Sequence, residues 1–276
     1  MTASPDFVSL RVERHGAVAE VVLTGPGRGN AVGPDFFREL PVALAALDAD
    51  ASVRAVIVRG DGGHFCYGLD LVAMAGDLGP HLASDNRARE RTELHALITR
   101  MQRAVSSLAE CRVPVIAAVH GWCIGAGVDL ITACDVRICS TDARFSVREV
   151  KVAIVADVGT LQRLPRIVGQ GHARQLAFTG EDVDAARALR LGLVNDVHET
   201  PEALLAAARA MAGRIADNPP LAVEGAKRVL NDGDGQTVAE GLRHVALWNS
   251  AFLQSHDLTE AIGAFAERRP PKFEGR

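Results

Sequence analysis

The chain has 276 residues, 48% of them of the hydrophobic class, and a formal net charge of −4 at neutral pH. That much apolar material suffices for a large core and excludes a disordered chain. No basic run accompanies the near-neutral charge, which sets nucleic acid aside as a partner.

The N-terminus, Met-Thr-Ala-Ser-Pro-Asp-Phe, lacks the basic and apolar regions of a secretory signal. No apolar stretch reaches about 18 residues, so neither a membrane span nor a membrane partner is expected. Cys66, Cys111, Cys123, Cys134 and Cys139 are odd in number, and no Cys-x-x-Cys or His-x-x-x-His pair occurs. Buried free thiols, no metal site and a reducing, cytoplasmic location are expected.

Residues 8–13 and 18–23 predict a β-hairpin turning at His15-Gly16. Residues 25–29 form a glycine-rich loop, and residues 34–47 repeat apolar side chains at helical spacing. A Val-rich buried strand spans 53–59. Residues 75–90, rich in Gly, Pro, Asp, Ser and Asn, read as a mobile loop, and the walls of any pocket are expected from 75–100. A long helix runs from about 89 to 110. Residues 114–119 form a second buried strand, which feeds the glycine turn 121–127 and an apolar helix through Cys134. Residues 135–139 return as a strand. This order predicts an α/β fold built from crossover units. After residue 200 only helices are expected, at 201–217, 220–230, 236–254 and 258–267. The chain therefore divides into a 1–200 core carrying the site and a 201–276 helical region. Apolar faces in that region suit subunit packing.

Three acids stand in apolar surroundings, where an ionised carboxylate is costly unless paired. Asp129 follows the turn Gly125-Ala-Gly127. Glu149 and Asp157 bracket Val-Lys-Val-Ala-Ile-Val-Ala. Such acids are candidates for raised pKa values and proton transfer; helix caps or solvated acids are the plainer alternative. Two glycine turns, at Gly68 and at Gly125, each follow a Val-rich strand. Each can leave a backbone N–H unpaired, and two converging donors make an oxyanion hole. The spacing Gly121-x-x-x-Gly125-x-Gly127 does not fit a dinucleotide-binding turn. His64 and His120 read as packing or hydrogen-bonding residues.

In order along the chain stand Asn30-Ala31, Phe65-x-x-Gly68-x-Asp70, Pro114-Val-Ile-Ala-Ala-Val-His-Gly121, Gly125-x-Gly127, Cys134-Asp-Val-Arg137, Gly159-x-x-x-Arg163-Leu-Pro165 and Ala177-Phe-Thr-Gly180. In this combination the chain resembles the crotonase, or enoyl-CoA hydratase/isomerase, superfamily over nearly its whole length. The stretch 149–165 is similar to the dienoyl-CoA isomerase branch, because Asp157 stands where hydratases carry a small residue. The resemblance implies a ββα spiral core with a C-terminal helical layer, and a homotrimer or a dimer of trimers. It implies an acyl-CoA thioester substrate of fatty-acid degradation, with coenzyme A a part of the substrate and no separate cofactor. The activity implied is conversion of a 3,5-dienoyl-CoA into a 2,4-dienoyl-CoA. Asp157 would be the base at C2 and Glu149 the acid at C6. Asp129 would hydrogen-bond near Glu149 and raise its pKa by like charge. The backbone N–H groups of Leu69 and Ala126 would hold the thioester oxygen. Arg28, Asn30, Ala31 and Lys272 would meet coenzyme A, with Arg268 or Arg269 as further tail cations, to a neighbouring subunit if not to their own. Tyr67, where relatives carry Ala, either narrows the entrance or packs as an aromatic. An enoyl-CoA hydratase and a non-catalytic acyl-CoA-binding protein are the competing readings.

Overall fold

Apolar and β-branched residues alternate between two buried faces along the central strands, and the sheet they form divides the molecule. The computed structural model describes residues 6–83 and 87–276. The hairpin is β1 (Leu10–His15) and β2 (Val18–Leu23), paired antiparallel. A single turn at Arg28–Asn30 leads into α1 (Pro34–Ala49), and β3 follows at Ala55–Gly60.

Next come α2 (Ala75–Ala83) and α3 (Arg87–Glu110). The helix α2 replaces most of the loop expected over 75–90, despite Gly76, Gly79 and Pro80. Tertiary contact overrides propensity here: Met74 is fully buried at its start and Leu78 packs on the core. Asp70 opens the turn into it by accepting from the N–H groups of Val72 (3.1 Å) and Ala73 (2.9 Å). Residues 84–86 of that expected loop lie outside the described residues.

Then follow β4 (Val115–Val119), β5 (Trp122–Ile124), α4 (Ala126–Ala133), β6 (Val136–Ser140) and β7 (Arg144–Ser146). A short turn at Glu149–Val152 precedes α5 (Thr160–Val168) and α6 (Gln170–Thr179). After them come β8 (Val183–Asp184), α7 (Ala185–Leu191) and β9 (Asp196–His198). The main sheet has the order β1-β2-β3-β4-β6-β9, parallel from β2 onward; β5, β7 and β8 make a smaller sheet.

Period-2 alternation sorts the strands' side chains. Val56, Val58, Val115, Ala117 and Val119 face the main core with α1, α3 and α4. Ile57, Ile116, Ala118 and Ile138 face the other way, onto Leu204, Ala208 and Ala212 of α8 (Pro201–Ala216). The first helix of the 201–276 stretch thus covers the sheet. Beyond it lie α9 (Pro220–Asp232), α10 (Val238–Phe252) and α11 (His256–Glu267). Trp248 of α10 packs on Gly225 of α9, where any side chain would strike the indole nitrogen at 2.3 Å. Leu242, Leu247 and Phe265 remain exposed on α10 and α11. No described helix is long and apolar enough to cross a membrane. All five cysteines are free and buried, and burial pushes the thiols of Cys66, Cys111 and Cys134 up to about 12.

One buried lysine fastens the late helices to the core. Lys227 Nζ donates to Asp135 Oδ2 at 2.7 Å and to the carbonyls of Val113 (3.0 Å) and Leu108 (3.4 Å). Removing Lys227 would leave Asp135, 24% exposed, with Val115 N–H as its remaining donor and two main-chain carbonyls without theirs. We expect Lys227→Met to lower stability by about 3 kcal/mol, read as a drop in the urea midpoint at constant slope.

Candidate active site

Two turns meet at the C-terminal ends of β3 and β4. The first, residues 65–70, is gripped from both sides by main-chain bonds. On one side Cys66 N–H donates to Trp122 O and Ile124 N–H donates to Cys66 O, both at 2.9 Å. On the other, Tyr67 N–H donates to Gly29 O (2.9 Å), Val32 N–H to Gly68 O (2.8 Å) and Asp70 N–H to Val32 O (2.9 Å). Leu69 N–H has no protein acceptor among the described residues. Gly68 has φ +87°, and a side chain there would strike Ile124 O at 2.9 Å, so the approach requires glycine.

The second turn passes through Gly125, at φ +52°, into α4. Ala126 opens this helix, where the first N–H groups lack intrahelical partners. Its N–H has no protein acceptor among the described residues. A methyl group placed on Gly68 would sit 3.6 Å from Ala126 N, so the two free donors belong to adjoining turns. These are the backbone groups expected at Leu69 and Ala126.

They border a cavity of about 190 Å³, lined also by Glu149, Asp157, Asp129 and Tyr67. All three expected acids are therefore brought together. Glu149 Oε1 lies 3.2 Å from where a Gly125 side chain would begin, while Oε2 is buried with no hydrogen-bond partner. Burial, more than the nearby Asp129 and Asp157 charges, pushes the Glu149 carboxyl up to about 7. Burial also raises Asp157 and Asp129.

Like charge from Asp129 raises the Glu149 carboxyl as expected, behind the larger effect of burial. The expected hydrogen bond is corrected. Asp129 does not bond toward Glu149: its Oδ1 accepts from Thr160 N–H, at 2.6 Å, at the start of α5. It caps a neighbouring helix and fixes the segment carrying Asp157. Gln102 of α3 holds that segment too, donating to Asp157 O at 2.6 Å. Neither Gln102 nor Thr160 stands out in the sequence, since Gln102 meets a main-chain carbonyl 55 residues away and Thr160 offers only its main-chain N–H, to a carboxylate 31 residues away. The apolar wall is corrected as well. Among the described residues Phe37, Leu71, Met101, Val152, Ile154 and Val158 supply it, and none of these lies within 75–100.

The coenzyme A candidates separate into two places. Arg28 is exposed, its guanidinium carbon 5.8 Å from the Tyr67 ring centre. The Asn30 side chain is buried and occupied, donating to Asp61 O and His64 O at 2.8 Å each. That leaves its main chain, with that of Ala31, for the expected coenzyme A contact. Gly25 and Gly27 are pressed against Ala31 O and the Asp70 carboxylate, which accounts for the lack of side chains there. Tyr67 lies flat on Gly29 and stacks on His64, ring centres 4.8 Å apart, so it packs and also lines the cavity. His64 Nδ1 accepts from Trp122 N–H at 3.3 Å and His120 Nε2 meets Gly62 O at 2.9 Å, both structural bonds. Lys272 is not brought to this edge. The tail passes the opposite end of β3, where Arg54 donates to Phe273 O at 2.6 Å, roughly 20 Å away along the strand. Arg269 is held there by Glu260, at 2.6 Å.

A family model for enoyl-CoA hydratase/isomerase matches residues 13–276. The chain belongs to the enoyl-CoA hydratase/isomerase family. It is 44% identical to a mitochondrial Delta(3,5)-Delta(2,4)-dienoyl-CoA isomerase of Dictyostelium discoideum, over 97% of this chain and 92% of that one. It is 44% identical to the peroxisomal enzyme of that name from Arabidopsis thaliana, over 96% and 95%. Among solved structures, an enoyl-CoA hydratase from Bacillus anthracis superposes with a TM-score of 0.88 at 30% identity, covering 98% of this chain and 100% of that one.

The Glu149 shift has a stability consequence. Its carboxyl sits at about 7 in the fold against an ordinary 4.5, so the native state keeps a proton that the unfolded chain releases between those values. Stability conferred by the protonated form is complete below 4.5 and is lost as pH rises through 7. Glu149→Gln removes the titration. We expect this variant to melt a few degrees above the wild type at pH 8 and close to it at pH 5, by scanning calorimetry.

Proposed function

We propose that the chain is an isomerase that moves the double bonds of a 3,5-dienoyl-CoA to the 2,4 positions. The single observation that carries this reading is the placing of two carboxyls, Glu149 and Asp157, on the cavity that Leu69 and Ala126 border. The thioester oxygen accepts from the Leu69 and Ala126 N–H groups. These fixed donors favour charge on that oxygen and so acidify C2. Asp157 takes the C2 proton, and the electron pair spreads through the diene to the oxygen. Glu149 delivers its proton to C6, and the pair returns to give the 2,4-diene. Asp157 ends protonated and Glu149 ionised, and proton exchange restores both. No water or separate cofactor enters, and coenzyme A is carried by the substrate.

The raised Glu149 carboxyl supports the role of acid near neutral pH. Asp129 acts by fixing the Asp157 segment through Thr160. Hydration, the rival, needs two carboxylates to hold a water. Asp129 has one oxygen already committed to Thr160 N–H, and isomerase relatives reach 44% identity where the hydratases (E)-benzylidenesuccinyl-CoA hydratase of Thauera aromatica and enoyl-CoA hydratase 2 of Arabidopsis thaliana stand at 34% and 32%. A bare acyl-CoA-binding role leaves the raised acids unexplained. Arg28 and the main chain at Asn30 and Ala31 meet coenzyme A, while Lys272 meets it from a neighbouring copy. The exposed apolar faces of α10 and α11 support a homotrimer or a dimer of trimers. The five free thiols support a reducing compartment, the cytoplasm in this reading; the relatives' names include mitochondrial and peroxisomal.

Chromatography of a 3,5-dienoyl-CoA and a 2-enoyl-CoA after incubation separates the readings. We expect diene isomerisation to exceed hydration; the reverse result rejects the reading. Asp157→Asn and Glu149→Gln should each lower kcat about 10²–10⁴-fold with the Kd for coenzyme A unchanged. The wild-type kcat should fall as pH rises through about 7, where Glu149 loses its proton. Because the acids interact, that limb belongs to the set rather than to one residue.

A further inference from the structure

We infer that Arg163 is a positioning residue: it anchors, on Ser106 of α3, the far end of the segment that presents Asp157 to the cavity. This rests on Asp157 being the base of the isomerase reading, and it names the side chain that keeps that base in place.

The segment runs from Asp157 into the first turn of α5, and three bonds fix it. At its start Gln102 donates to Asp157 O at 2.6 Å. In its middle Thr160 N–H donates to Asp129 Oδ1 at 2.6 Å. At its end Arg163 Nη2 donates to Ser106 Oγ at 2.9 Å. Gln102 and Ser106 are four residues apart within α3, so they share one face of that helix, a turn apart. One helix therefore grips the segment at both ends, and α4 grips it between them through Asp129.

Arg163 also backs the bend within the segment. Gly159 has φ +134°, and a side chain there would overlap Arg163 Nη1 and begin 3.0 Å from the guanidinium carbon. The guanidinium fills the space that the missing side chain leaves. It thus lies against the main chain two residues after Asp157 and one before Thr160.

Stability does not account for this arginine. Its Nη1 is buried with no hydrogen-bond partner, and an unpartnered buried donor is costly. Burial also pulls the guanidinium below its ordinary pKa, with the Asp129 charge opposing that fall. Costs of this kind gather where one conformation must be held for function. Here the need is clear: among the described residues no other side chain bonds the Asp157 carboxyl, so its place follows from its main chain.

Two variants test the anchor. Arg163→Met removes it, and Ser106→Ala removes only the hydroxyl it meets, at a partly exposed position. With a 3,5-dienoyl-CoA, Arg163→Met should lower kcat about 10–10²-fold, with KM within about threefold of the wild type. Ser106→Ala should lower kcat less, and the double variant should match Arg163→Met within about twofold, because both changes break one bond. An unchanged kcat, a loss confined to KM, or effects of the two changes that multiply overturns the inference. The base step is read alone in a Glu149→Gln background. There a C2 proton taken by Asp157 finds no acid at C6 to complete the shift, and its return from heavy water leaves deuterium at C2. Arg163→Met should slow that uptake, followed by mass spectrometry, by the factor it takes from kcat; uptake at an unchanged rate overturns the inference. Amide hydrogen exchange reads the anchor without turnover. The Thr160 amide should exchange about tenfold faster or more in Arg163→Met, with β3 and β4 unchanged. If the wild type converts no diene but Thr160 responds in this way, the anchor stands and the reaction assignment falls. If Thr160 does not respond, or if β3 and β4 loosen with it, the anchor falls whatever is turned over.

Discussion

The main-chain clamp on residues 65–70 is the constraint on which the site rests. Two neighbouring segments bond to the backbone of this turn, the one carrying Gly29 and Val32 on one side and Trp122 to Ile124 on the other. The pairing with Val32 runs on to Asp70, and Leu69 N–H between them meets no protein acceptor among the described residues. The same zipper fixes where Gly125 begins α4, and hence where Ala126 N–H stands. Each donor is thus held by a rigid scaffold, as electrostatic stabilisation of a developing oxyanion requires. At Gly68 the backbones come so close that a side chain there would begin 2.9 Å from Ile124 O.

Around that frame the acids are tuned mainly by removal from water. Glu149 has a buried oxygen with no partner, which penalises its charged form directly. Asp129 is buried too, yet it has a strong donor in Thr160 N–H. That bond fastens α5 and the segment before it, so one carboxylate stabilises the position of another. Gln102 completes the support from α3. The arrangement needs groups from four distant parts of the chain, and the parallel sheet is what gathers their ends on one side.

Much of this was legible in the residues. The hairpin, the Val-rich strands and the four late helices follow from alternation, helical spacing and capping signals. The acids and both glycine turns could be named because carboxylates and glycines in apolar runs are chemically costly choices. What remained hidden is non-local. The glycines and proline of residues 75–83 spoke for a loop, but Met74 and Leu78 packing made a helix. Asp129 gave no hint of Thr160 as its partner, 31 residues on. The cavity wall is drawn from α1, α3 and the loop before α5, which no period along one element reveals. Asn30 read as a ligand contact, yet its amide is consumed by two carbonyls of the loop after β3.

The buried cysteines carry a last implication. A thiol reacts as its thiolate, and in the closed molecule burial suppresses that form at every one of the five positions. All five lie in the main core, and Cys66 and Cys123 stand side by side on paired backbones. Alkylating reagents and oxidants therefore reach them only through transient opening of the surrounding structure. The molecule carries its own set of latent chemical clocks, each timing how often its patch of core breathes.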